Sequence, residues 1–121
     1  MKLYISPPSK TNWGFDIDRL LDDLSSAQAP LVLRDLRDKP AGNILEWSES
    51  EEGAAEVYIL RDGQTVVVDG PIEECARWAV WVRARTPVRQ ASVYYDEGYS
   101  ADGVLSASTA AADIVKQFST A

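Results

Sequence analysis

The region from residue 31 to residue 68 alternates short β-prone segments with turn residues, and this pattern limits the folds open to the chain. We read strands at 31–37, 44–48, 55–60 and 65–68. The connections are too short for the crossover that a parallel pair needs, so consecutive strands must be antiparallel. Asp62-Gly63 is a dipeptide typical of hairpin turns. The region therefore predicts a four-stranded antiparallel meander.

Three other segments repeat apolar residues at helical spacing. Asp16 is placed to cap a first helix, whose apolar positions are Ile17, Leu20, Leu21 and Leu24. A second helix is predicted from Pro71 to about Arg85. A third helix is predicted near the end of the chain, with Ser108 or Thr109 as its N-terminal cap. Two further strands, at 2–6 and 92–95, and a short return strand at 104–106 complete the pattern.

These elements follow the order β-α-β-β-β-β-α-β-(β)-α. An order of this kind is typical of the α+β class. We expect one compact domain over residues 1–121, with a largely antiparallel sheet of five to six strands and three helices mainly on one face.

The chain contains no histidine and one cysteine, Cys75. The absence of histidine removes the commonest general base and transition-metal ligand, and the usual partner of a serine or cysteine nucleophile. One cysteine excludes an intramolecular disulfide and a multi-cysteine zinc site. Cys75 lies on the apolar face of the second helix and is expected in the core. We therefore expect a protein that is not an enzyme and has no catalytic residue, metal or cofactor.

Nineteen acidic and 12 basic residues give a net charge of −7. Such a surface repels nucleic acid and anionic membranes, despite the arginines that follow the second helix, and attracts basic proteins. The N-terminal segment lacks the apolar core of a signal peptide, and no apolar run is long enough to span a membrane. The expected partner is a cationic protein, and the expected location is the cytoplasm.

Residues 94–103, YYDEGYSADG, concentrate tyrosines, carboxylates and glycines. Tyrosine combines a large apolar face with a polar tip, and neighbouring carboxylates would meet arginine or lysine of a partner. We expect a loop whose turn is made possible by a positive φ at Gly98 or Gly103. The predicted partner-binding residues are Tyr95, Asp96, Glu97 and Tyr99, with Glu49, Glu51 and Glu52 of an acidic turn as a second group.

Two other functions remain open from the residues alone. Asp96, Glu97 and Asp102 could serve a small carboxylate- or Mg²⁺-dependent enzyme. Alternatively, Trp78 and Trp81 could extend beyond the core and form the face of a homodimer or another self-associating structural subunit.

The tryptophan-bearing segment 76–83, ARWAVWVR, and the segment 94–100, YYDEGYS, give the chain a resemblance to small acidic bacterial immunity proteins of toxin–immunity pairs. The resemblance lies in overall character across the chain and in these segments, and it transfers no functional residue. It implies a stoichiometric inhibitor that binds a toxin domain, often a basic nuclease, by electrostatic complementarity. The leading prediction is thus a non-enzymatic binding protein, an immunity protein or inhibitor of a basic toxin domain.

Overall fold

A computed structural model describes residues 1–27, 30–50 and 53–119. In chain order, its elements are β1 Lys2–Ser6, α1 Ile17–Ser25, β2 Leu31–Asp35, β3 Asn43–Glu49, β4 Glu56–Leu60, β5 Val66–Asp69, α2 Ile72–Arg83, β6 Val93–Asp96, β7 Asp102–Val104 and α3 Ala111–Ser119. The α+β class and the predicted order are confirmed. The sheet has seven strands rather than five or six, because the return strand forms and pairs with β6.

The strands are arranged in the order β2-β3-β4-β5-β1-β6-β7, with every neighbouring pair antiparallel. Strands β2 to β5 form the predicted meander. The N-terminal strand β1 lies between β5 and β6, so these two strands are parallel to each other. Parallel strands need a long connection, and α2 supplies it.

The hairpin predicted at Asp62-Gly63 joins β4 to β5 through a loop of residues 61–65. The Leu60 N–H donates to the Thr65 carbonyl at 2.9 Å, and Gly63 has a φ of +73°. The Asp62 carboxylate accepts the N–H groups of Gln64 and Thr65, each at 2.9 Å. The Asp62 carboxylate therefore stabilises the turn through local hydrogen bonds, in agreement with the hairpin predicted from Asp62-Gly63.

The helix caps follow the sequence in one case and not in another. The Asp16 side chain accepts the Arg19 N–H at 3.2 Å and caps α1 as predicted. The prediction of Ser108 or Thr109 as the cap of α3 is wrong. There, Asp113 reaches back to accept the Ala110 N–H at 2.9 Å, while the Thr109 hydroxyl accepts the N–H of Ser106.

The hydrophobic core lies between one face of the sheet and the helices. Strand residues such as Leu3 and Val57 join Leu20, Ala79 and Ile114 of the three helices in one buried cluster. The opposite surface, which carries the outward side chains of the seven strands, is called the uncovered face below, since none of the described helices contributes to a core there. The packing of the three helices on one face of the sheet confirms the prediction. None of the described helices is long and apolar enough to cross a membrane.

The tryptophans of α2 pack into this core. Trp78 is only 4% exposed, and its ring centroid lies 5.7 Å from that of Trp47 and 5.4 Å from that of Trp81. Trp81 is partly buried, and the Arg85 guanidinium lies 3.6 Å from its centroid. Cys75 is fully buried, as predicted. The broad apolar stripe of α2 is therefore explained by packing within the chain, and a self-association face would have to use Trp81 without Trp78.

Candidate partner-binding surface

The segment YYDEGYSADG forms a hairpin at one edge of the sheet. β6 runs from Val93 to Asp96, the chain turns, and β7 returns with Asp102 opposite Tyr95 and Gly103 opposite Tyr94. Asp102 is therefore a strand residue and not part of an open loop. Because this return begins at Asp102, the predicted strand at 104–106 was placed two residues too late.

The two neighbouring tyrosines of β6 point to opposite sides of the sheet. Tyr94 is 5% exposed and packs in the core beside Phe118, with ring centroids 6.1 Å apart. Gly103 makes room for it: a Cβ built on Gly103 would lie 2.5 Å from the Tyr94 hydroxyl oxygen. Tyr95 lies on the uncovered face, because side chains alternate along a strand.

Tyr95 stands in the middle of three nearly parallel rings, the tyrosine stack formed by Tyr4, Tyr95 and Tyr99. The Tyr95 ring lies 5.5 Å from the Tyr4 ring and 4.9 Å from the Tyr99 ring, with interplanar angles of 2° and 5°. Tyr99 at the outer end is 70% exposed. The stack thus presents a pre-arranged aromatic surface next to the acidic turn, and Tyr95 and Tyr99 are brought together as predicted.

The prediction that Gly98 or Gly103 adopts the positive φ of this turn is wrong. The positive φ falls on Tyr99, at +53°, and neither Gly98 nor Gly103 adopts one. A bulky residue in this region is strained and needs compensating contacts. The ring stacked on Tyr95 and the hydrogen bonds that fix Ser100 supply those contacts.

Asp96 supplies the hydrogen bonds that close the turn. Its carboxylate accepts the Ser100 N–H at 2.6 Å, the Ser100 hydroxyl, and the Ala101 N–H at 3.4 Å. The Ser100 hydroxyl and these N–H groups favour the charged carboxylate and lower the pKa of Asp96. Its predicted role in partner contact is therefore joined by a structural one.

The other predicted acids differ in their availability. Glu97 is exposed and forms no ion pair with any described residue. Glu49 is paired within the protein, to the guanidinium of Arg77, which also bonds Glu74 at 2.6 Å. Glu51 and Glu52 lie outside the described residues. Of the second predicted group, Glu49, Glu51 and Glu52, the structure describes only Glu49, whose charge is already paired with Arg77.

The three carboxylates considered for catalysis do not converge. Asp102 lies opposite Tyr95 and shares its side of the sheet, whereas Asp96 lies opposite the buried Leu3 and points to the other side. The low pKa of Asp96 is opposite to what a general acid requires. Among the residues that the structure describes, no group of three or more His, Cys, Asp or Glu side chains is placed to hold a metal ion.

The uncovered face carries residues that the sequence interpretation missed. In strand register, one row crosses all seven strands: Asp102, Tyr95, Tyr4, Val67, Tyr58, Glu46 and Arg34. A second row contains Lys2, Asp69, Glu56, Ser48 and Val32. Alternation within each strand could have assigned these residues to one side. Their alignment into rows depends on the strand order, which local patterns do not contain.

Comparisons of the chain with protein-family models, with curated proteins and with solved structures found no match.

Proposed function

We propose that this protein is a non-enzymatic binding protein of the cytoplasm, an immunity protein or inhibitor that neutralises a cationic toxin domain. The observation that carries the proposal is the exposed Tyr99 ring stacked on the half-buried Tyr95, with Asp102 opposite Tyr95 and Glu97 in the same turn, in a chain of net charge −7.

The arrangement suits tight binding because its aromatic groups are already ordered. Tyrosine buries a large rigid area at low entropic cost, and parallel stacking of Tyr95 with Tyr99 removes much of the remaining freedom of both rings. Tyr99 is held in a strained backbone conformation while it stays mostly exposed, so its ring adds little to the core. Strain kept at an exposed residue is typical of a binding site.

The acidic groups would supply speed and selectivity. A negative surface raises the rate of association with a basic protein, and an inhibitor has to reach its toxin before the toxin reaches its target. Asp102, opposite Tyr95, and Glu97, in the turn that carries Tyr99, are both exposed and would meet arginine or lysine side chains at the rim of the interface.

The test is capture of a basic protein from the native host with the tagged chain, followed by an assay of the captured protein's toxic activity with and without the chain. The Glu97→Lys/Tyr99→Ala variant should bind at least tenfold more weakly. The matched control is Glu73→Lys, an equal change of charge at an exposed position of α2. Equal affinity of both variants would refute the placement, and undiminished toxic activity in the presence of saturating wild-type chain would refute the function.

A further inference from the structure

The uncovered face extends the aromatic surface well beyond the hairpin at 94–103. Four of the five tyrosines of the chain lie on this side of the sheet: Tyr4, Tyr58, Tyr95 and Tyr99. Between Tyr4 and Tyr58 in register lies Val67, which is only 7% exposed although no described helix covers it. Seven strands at the usual spacing make this face about 29 Å wide.

Tyr58 stands at the centre of an acidic part of this face. Its hydroxyl donates to the Glu56 carboxylate. Burial, this hydrogen bond and the nearby charges of Glu56, Asp69 and Glu46 together raise the pKa of Tyr58. Two surface grooves adjoin the ring. One of about 430 Å³ is lined by Glu46, Glu56 and Arg34, and one of about 340 Å³ is lined by Asp69 and Lys2.

The carboxylates of this face are only partly balanced by cations of the chain, because the two rows hold Arg34 and Lys2 against Glu46, Glu56, Asp69 and Asp102. Glu46 pairs with Arg34 at 3.2 Å. Asp69 has Glu56 as its cross-strand neighbour on one side and Lys2 on the other, and neither carboxylate forms an ion pair with any described residue. Like charges placed opposite each other on a sheet are destabilising. A bound cationic group would relieve this repulsion.

The charge selects among occupants. Phosphate groups of nucleic acid or lipid would be repelled by Glu46, Glu56 and Asp69. A second copy of the chain would bring the same excess of carboxylates over cations to both sides of the interface. A guanidinium, by contrast, can bond a carboxylate through two N–H groups while it lies flat on a tyrosine ring.

We propose that the uncovered face is the docking surface for an arginine-bearing segment of the protein's cationic partner, with arginine side chains seated in the two grooves beside Tyr58. The identity of this partner rests on the function proposed above. The surface itself is defined by Tyr4, Tyr58, Glu56 and Asp69, so the interface is centred on the sheet, and the tyrosine stack connects that centre to the hairpin.

The test is titration of the ¹⁵N-labelled full chain with a tetra-arginine peptide, followed by NMR. We expect saturable shifts centred on β1, β4 and β5. The Glu56→Gln/Asp69→Asn variant should weaken binding at least fivefold, because two carboxylate contacts are lost. Asp22→Asn/Glu73→Gln, which removes two exposed carboxylates on α1 and α2, should change it less than twofold. Tyr58→Phe is a second variant that leaves both carboxylates in place and should weaken binding by displacing Glu56.

The proposal is overturned if the shifts centre on α1 or on the turn at 97–101, if the two double variants weaken binding equally, or if millimolar peptide produces no saturable shift. The titration needs no natural partner. Its failure would therefore leave the inhibitor function standing, while a successful titration with no toxin neutralised in the capture experiment would refute that function alone.

Discussion

Replacement of Gly103 by alanine should destabilise the protein through a single contact. A Cβ at this position would lie 2.5 Å from Cζ and Oη of Tyr94 and 2.8 Å from its Cε1. These distances are about 1 Å shorter than an ordinary non-bonded separation. The Tyr94 ring cannot move away freely, because it is buried and packs beside Phe118.

Overpacking of this kind costs about 1–3 kcal/mol of the free energy of unfolding. For a chain of this size the loss corresponds to a fall in Tm of about 4–12 °C. Urea unfolding followed by tryptophan fluorescence, with calorimetry for Tm, measures both quantities. Glycine-to-alanine replacement without a clash tends to stabilise a protein by reducing the entropy of the unfolded chain, so any loss at Gly103 points to the clash.

A double-mutant cycle separates the contact from other effects. Tyr94→Leu removes the three ring atoms that the new Cβ would meet. In that background Gly103→Ala should be neutral or slightly stabilising, which gives a coupling of about 1–3 kcal/mol between the two positions. The reasoning is refuted if alanine costs the same in both backgrounds, or costs nothing in the wild type.

Three more predictions follow from the structure. Arg83→Met should cost about 2–5 kcal/mol in urea unfolding, because the buried guanidinium bonds four carbonyls, including that of Leu105 at 3.1 Å, which methionine leaves unpaired. Burial raises the pKa of the Cys75 thiol from 9.0 to about 11. The contribution of Cys75 to stability should therefore be fully present below pH 9 and be lost as the pH rises from 9 through 11, so that urea unfolding at pH 7, 9 and 10.5 shows a smaller alkaline fall in Cys75→Ala. Tyr99→Gly should be about 1 kcal/mol more stable than Tyr99→Ala by thermal unfolding. Both variants lose the ring stacked on Tyr95, but glycine adopts a positive φ without strain and alanine does not.

Each of these has a result that would contradict it. For Arg83, Lys should recover part of the loss, and equal stability of wild type and the methionine variant would mean that the carbonyls find other donors. For Cys75, identical alkaline slopes in wild type and the alanine variant would assign the whole fall to other groups, such as Tyr58 and Tyr94, whose pKa values are also raised. For Tyr99, equal stability of the two variants would show that the turn relaxes on loss of the ring.

The hydrogen bonds from Ser100 to Asp96 give a structural role to a residue for which the sequence predicted only partner contact. An aspartate in a turn is equally able to accept local N–H groups and to face a partner. The local sequence does not distinguish these roles, because the choice depends on which donors the backbone path brings within reach. Here Ser100 and Ala101 are within reach, and Glu97 is left as the exposed acid of the turn.

The secondary structure could be predicted from sequence because its signals are local. The spacing of Ile17, Leu20 and Leu24 specifies an amphipathic helix wherever it packs. Asp62-Gly63 specifies a turn through hydrogen bonds within five residues. Alternation along β6 indicated that only one of its two tyrosines could reach the surface, although it could not indicate which.

Only the tertiary structure decided where these elements meet. Strand β1, at the start of the chain, lies between β5 and β6, and this placement brings Tyr4 beside Tyr95 and completes the row from Asp102 to Arg34. The pairing of Glu49 with Arg77, 28 residues away, likewise arises from packing of α2 on the sheet. Contacts between distant segments depend on strand order and register, which are set by burial of the whole core. The sequence by itself thus determined the elements and the charge of this protein, and the tertiary structure decided which tyrosines and carboxylates share one surface.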